Sequence, residues 1–231
     1  MSIAEEPDPT TYDCFNSFFT RELTLEARPI NAAKVVSPVD GSISQIGTLD
    51  NDKLIQAKGK TYSLSTLLAN DAELANKFHA GSFATLYLSP KDYHRIHMPT
   101  DGTLEKMIYI PGKLFSVNKT TTENVDNLFA RNERIVCVFN TELGKMAVIM
   151  VGAIFVGSME TVWAGQITPS NNRVIQTDNY VNRKIVLEKG DEMGRFNMGS
   201  TVILLFERNK INWSTNLKAD ASITMGQQLV I

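Results

Sequence analysis

A chain of 231 residues, 43% hydrophobic and 21% charged, is long enough to bury a core and too apolar for a disordered or low-complexity scaffold. Its 25 acidic and 23 basic residues leave a formal charge of −2, which excludes a protein built around a basic nucleic-acid face but leaves room for a local basic patch on a membrane surface. Cys14 and Cys137 are too few and too far apart for a disulfide framework or a thiolate zinc site, so a reducing compartment is the default.

In chain order, residues 1–11 carry acids and prolines without an apolar run and read as a mobile lead-in. Residues 12–23, YDCFNSFFTREL, put Tyr12, Phe15, Phe19 and Leu23 on one helical face. That face either docks on the protein's own core or touches lipid, since both need the same pattern. VVSPVDGSISQIG then reads as strand, Asp-Gly turn, strand, and residues 63–78 as a helical stretch. FATLYLS is a strand closed by Pro90, and residues 124–132 a short helix. Beyond them come a hairpin around Leu143-Gly144, a strand from Lys184, a glycine-punctuated loop and the apolar run VILLF. The longest strongly apolar stretch, MAVIMVGAIFV, has 11 residues, short of the roughly 20 that span a bilayer, and reads as core. No linker divides the chain. The expectation is one compact α+β domain over 1–231, mainly antiparallel sheet with a few short helices.

Pro38-Val39-Asp40-Gly41 is echoed by Pro99-Thr100-Asp101-Gly102. Each suits a hairpin turn, and the pair is either a duplicated β motif or two unrelated turns of common composition.

Chemistry-bearing residues are sparse. Two of the three histidines, His94 and His97, fall within PKDYHRIHMP. Spacing of three places them on one side of a helical turn but on opposite sides of a strand. They read as a metal pair, as acid–base groups titrating near neutrality, or as structural histidines; no H-E-x-x-H or cysteine pattern supplies further ligands for a metal. The segment EMGRFNMGSTV carries a Gly199-Ser200 step just before an apolar run, setting a hydroxyl beside a conformationally free peptide.

In combination, YHRIHMP, GKLFSVN, NLFARNER, VGSMETVWAG, EMGRF and MGSTV, in this order, resemble the phosphatidylserine decarboxylase family, pyruvoyl-dependent lipid enzymes of prokaryotic type. The resemblance runs from about Phe15 to the C-terminus, with Met198 where the family's cleavage motif has leucine, a volume-conserving swap. It implies a proenzyme that cuts itself between Gly199 and Ser200 into a β chain of residues 1–199 and an α chain of residues 200–231. Ser200 is then the nucleophile, His97 its base and Asp40 the orienting carboxylate, a trio of serine-protease type. Asp101 shares the Pro-x-Asp-Gly pattern, and only the resemblance favours Asp40.

By the same resemblance, Ser200 Oγ attacks the Gly199 carbonyl to form an ester. Elimination leaves dehydroalanine, and hydrolysis releases ammonia and a pyruvoyl group at the new N-terminus. That group forms a Schiff base with the phosphatidylserine amine and serves as the electron sink for loss of carbon dioxide, giving phosphatidylethanolamine without metal or pyridoxal phosphate. His94 is the candidate proton donor or the group that positions the substrate carboxylate. The implied partners are phosphatidylserine, an anionic membrane surface, the two chains of one precursor and a second copy in a homodimer. Nucleic acid is not among them. The implied location is peripheral, at the cytoplasmic face of the cell membrane.

Overall fold

The computed structural model describes residues 2–154, 158–167, 174–197 and 200–231. After α1 (Phe15–Phe19) come β1 (Gly41–Thr48), β2 (Lys53–Ala57), β3 (Lys60–Ser63), α2 (Leu64–Leu67), α3 (Ala72–Phe78), β4 (Ser82–Leu88), β5 (Arg95–His97) and β6 (Gly102–Ile110). The middle of the chain supplies α4 (Lys119–Asn124), α5 (Leu128–Arg131), β7 (Arg134–Thr141), β8 (Gly144–Gly152), β9 (Met159–Thr161), β10 (Gly165–Ile167), β11 (Gln176–Asn179) and β12 (Val186–Leu187). It closes with β13 (Glu192–Phe196), β14 (Ser200–Phe206) and β15 (Ser222–Ile223). This is the expected α+β class, mostly antiparallel sheet with short helices.

The large sheet runs β11-β6-β7-β8-β14-β4-β1-β15, with β12 also on β6. Strand β14 is its centre. It pairs along its whole length with β8, from Ser200↔Gly152 to Phe206↔Met146, and with β4, from Ser200↔Leu88 to Phe206↔Ser82. Every residue of β14 is buried, as is most of β7 and β8. Both faces of the sheet centre are therefore covered, which is why these strands read as unbroken apolar runs rather than as alternation. A smaller sheet, β10-β9-β13-β5, carries the EMGRF and RIH segments side by side.

Several local expectations meet competing interactions. The run 63–78 divides because Ala69 and Asn70 take left-handed backbone, φ 61° and 59°. Asp71 then restarts the helix by accepting a hydrogen bond from Leu74 N at 2.9 Å. Residues 12–23 are helical only over α1. Within the amino-terminal lead-in, Ala4 is buried and bridges Leu23, and Glu5 N donates to Glu22 O.

Neither Asp-Gly step is a hairpin turn; each opens a strand, β1 or β6. The echo between them is nonetheless a structural duplication. Val36 N donates to Pro99 O and His97 N to Pro38 O, both at 2.9 Å, so the two copies exchange reciprocal backbone bonds. Each copy is met by a turn of the same build. Gly226 N donates to Ser37 O and Gly190 N to Met98 O, each at 2.9 Å, with the glycines at φ 82° and 95°, backbone that disfavours a side chain. Met225 N donates to Asp40 Oδ1 and Lys189 N to Asp101 Oδ1. The strand neighbours match as well, Gly41↔Ile223 and Gly102↔Leu187. A local two-fold thus brings His97, leading into the second copy, against the first copy, which carries Asp40.

Candidate active site

Ser200 begins β14 and has no exposed surface, and its Oγ has no hydrogen-bond partner among the described residues. A buried hydroxyl normally finds one, so the Ser200 hydroxyl is free for a partner or reaction that the described residues do not supply. The residue lines a cavity of about 210 Å³ whose walls include Phe15, Phe19, Tyr87, Leu88, Ile154 and residues 116–118 of the GKLFSVN segment. Asn132, buried in the NLFARNER segment, holds that wall. Its amide donates to Phe115 O and Gly152 O at 2.8 Å each and accepts from Phe115 N at 3.1 Å. Gly152 is the cross-strand neighbour of Ser200, so one side chain ties the loop to the ladder that Ser200 joins. Gly199, the other half of the expected cleavage site, lies outside the described residues.

His94 is fully buried, with its ring against Phe19 at a centroid separation of 4.0 Å. Nδ1 donates to Asp92 O at 2.8 Å, since a carbonyl only accepts. The lone pair therefore lies on Nε2, which has no partner. Burial pushes the imidazole down to about 4, against a smaller opposing effect of the Asp92 carbonyl. As pH falls from 6.5 towards 4, the unfolded chain takes up a proton here that the native protein refuses, so stability is lost across that window. In the unsplit Ser200→Ala protein, His94→Gln is expected to flatten urea stability between pH 6.5 and 4 by up to about 1.4 kcal/mol per pH unit. Parallel curves for the two proteins would disprove the assignment.

His97 ends β5. Its Nδ1 donates to Gly190 O at 2.7 Å, and its Nε2 accepts from the Tyr93 hydroxyl at 3.0 Å. Burial again lowers its pKa, while the Gly190 carbonyl and the charges of Glu192 and Asp40 pull the other way. His94 and His97 thus face different partners, as strand geometry requires and a helical turn would not. Among the described residues no three His, Cys, Asp or Glu side chains gather as a metal-binding group.

Asp40 is buried, and Arg28 grips it with a fork: Nε donates to Oδ1 at 2.8 Å and Nη2 to Oδ2. Met225 N adds a second bond to Oδ1 at 2.8 Å. No hydrogen bond joins Asp40 to His97, or either to Ser200. They are nevertheless neighbours through the backbone. His97 N bonds Pro38 O, and a Cβ at Gly41 would collide with the Tyr87 carbonyl, one residue from Leu88, the partner of Ser200. The duplicate Asp101 is exposed and caps only the Lys189 turn. Of the two carboxylates, Asp40 is the one whose charge acts on His97.

Two arginines and a tyrosine escaped the sequence reading. Arg28 is one. Arg95 donates to Thr20 O, Glu22 and Glu192, all at 2.8 Å, fastening the end of α1 to β5 and β13. Tyr93 is buried on His97, its phenol pushed up by desolvation. None belongs to a spacing pattern, although Tyr93 and Arg95 lie within the YHRIHMP segment. The aromatic face of α1 divides its duties, with Phe19 in the core and Phe15 61% exposed at the cavity rim.

A buried hydroxyl at the head of a central strand, two histidines held neutral by burial and a gripped carboxylate make up a site for nucleophile-and-base chemistry. A family model described as phosphatidylserine decarboxylase matches residues 15–231. A phosphatidylserine decarboxylase proenzyme of Nitrosococcus oceani is 57% identical, over 99% of this chain and 76% of the relative. Proenzymes of the same name from Marinobacter nauticus and Vibrio cholerae are each 53% identical over 98% of this chain and 80% and 81% of theirs. The chain belongs to the phosphatidylserine decarboxylase family and is a decarboxylase.

Proposed function

We propose that this chain removes the serine carboxylate of phosphatidylserine as carbon dioxide, leaving phosphatidylethanolamine, after cutting itself between Gly199 and Ser200. The observation that carries the reading is Ser200 itself: a buried, unpartnered hydroxyl at a strand head, opening on an apolar cavity whose wall residue Phe19 packs on the His94 ring. A pyruvoyl group made from Ser200 fits there and supplies the electrophilic carbonyl and electron sink that no ordinary side chain offers.

The residues then divide the work. For the cut, Ser200 Oγ adds to the Gly199 carbonyl carbon and its proton passes to His97 Nε2, once Tyr93 has given up that lone pair. Asp40 contributes its negative charge on the first copy of the duplicated motif. For the lipid reaction, His94 Nε2 starts as an acceptor. Charged only when the substrate carboxylate lies against it, it is the group that holds that carboxylate or returns a proton to Cα after carbon dioxide leaves. The apolar cavity excludes water from both steps.

Phe15 and Ile154 each line the cavity and are at least half exposed, making an apolar rim through which a diacyl lipid can enter from a membrane surface. No helix among the described residues is long and apolar enough to cross a membrane. Peripheral docking at the cytoplasmic face is the matching arrangement, with the homodimer that the family resemblance implies. Intact mass spectrometry of the purified protein, followed by incubation with phosphatidylserine vesicles, tests the whole reading. Chains of 199 and 32 residues and release of carbon dioxide are expected; an uncut chain that releases none would sink it.

A further inference from the structure

The duplicated motif offers an internal control. Asp40 and Asp101 occupy equivalent places, each accepting a backbone N–H from the turn that meets its copy. What the first copy has and the second lacks is an arginine. Arg28 follows a single 3-10 turn, Leu25–Ala27, and its guanidinium is spent entirely on this corner: Nη1 on Ala27 O at 2.8 Å, Nε and Nη2 on the two oxygens of Asp40. Both side chains are largely buried, 17% and 10% exposed. If the carboxylate served only to cap a turn, the backbone bond would suffice, as it does at Asp101. A two-point fork fixes the plane of a carboxylate, which a lysine ammonium cannot do.

We propose that Arg28 is a positioning residue for self-processing, its fork holding the Asp40 carboxylate in one orientation beside His97. The inference rests on the reading of Asp40 and His97 given above. Oδ1 already accepts from Arg28 Nε and Met225 N, whereas Oδ2 accepts from Arg28 alone. A carboxylate oxygen takes two donors, so the fork leaves one acceptor position on Oδ2. Around His97, the charged or titratable groups are Tyr93, Arg95 and Glu192 besides Asp40. Arg95 and Glu192 pair with each other, which leaves Asp40 as the carboxylate whose aim depends on Arg28.

The test follows splitting over time by intact mass in full-length parent, Arg28→Ala, Arg28→Lys, Asp40→Asn and the Arg28→Ala/Asp40→Asn double variant. Thermal melting identifies those that fold. Arg28→Ala is expected to slow splitting about 100-fold, the scale of a misplaced catalytic group. Arg28→Lys, which keeps charge and bulk, is expected to fold and to fall between. Guanidinium ion in the buffer is expected to restore part of the Arg28→Ala rate, which it would not do for a purely structural lesion. Because Arg28 acts through Asp40, the double variant is expected to split no more slowly than Asp40→Asn. Parent-like splitting in Arg28→Lys or Arg28→Ala, or multiplying defects in the double variant, overturns the inference while leaving self-processing intact. A parent that never splits, or an Asp40→Asn protein that splits normally, removes the underlying reading and the role of Arg28 with it.

Discussion

Ser200→Ala is expected to yield a folded, uncut chain of 231 residues with no detectable decarboxylation. The structure makes the folding half of this result unusually clean. The Ser200 hydroxyl has no partner, so removing it breaks no hydrogen bond and strands no donor, and stability should change by less than about 1 kcal/mol. The strand ladder to Leu88 and Gly152 depends on backbone alone. The chemical half is all or nothing, because alanine has no atom to form the ester. Ser200→Cys is expected to split slowly, a thiolate being able to open the same route. Recovering the 32-residue fragment from the alanine variant would remove Ser200 from the nucleophile's role.

The two histidines should part company just as sharply. His97→Ala is expected to accumulate precursor, with splitting slowed by about 10²–10⁴-fold, the usual weight of a general base. His94→Ala is expected to split and yet to turn over lipid slower by a similar factor. The ground for the division is where each ring sits. His97 is bonded toward the duplicated motif, through Gly190 and Tyr93, whereas His94 packs on Phe19, a wall of the cavity proposed to receive substrate. Following splitting by mass and turnover by carbon dioxide release in the same preparations separates the roles. Equal splitting defects in the two variants would refute the division.

The parts of this molecule legible from sequence are those where one local pattern meets no rival. The hairpin at Leu143-Gly144 forms as read, and the apolar stretch from Met146, read as core, supplies the buried part of β8. What misled were positions whose partners lie far along the chain. Asp40-Gly41 has the composition of a hairpin turn, but Val36 N is claimed by Pro99 O and Ser37 N by Gln227 O, so the preceding segment never pairs with β1. The duplication was visible as a faint echo and undecidable there, since its evidence is a set of reciprocal bonds rather than a spacing. The trio of Ser200, His97 and Asp40 came from motifs in combination. Arg28, which grips Asp40, stands outside every quoted motif, while Tyr93 and Asn132 lie within YHRIHMP and NLFARNER but take their roles from contacts that no spacing announces.

A cut ahead of Ser200 would fall at the head of the sheet's innermost strand, not in a tether between separable halves. The 32-residue piece begins with a strand laced on both flanks, to β8 and to β4, over all seven of its residues. Its later residues add β15 on β1 and a bridge from Gln228 to Val36. Such a piece can leave only by unzipping two seams at once, so the nicked protein should migrate as one particle until denaturant is added. The same lacing means that the new chain end is born in place. Residue 200 already borders the cavity before any bond is broken, and the backbone that would present the reactive group is held by neighbours that the cut never touches.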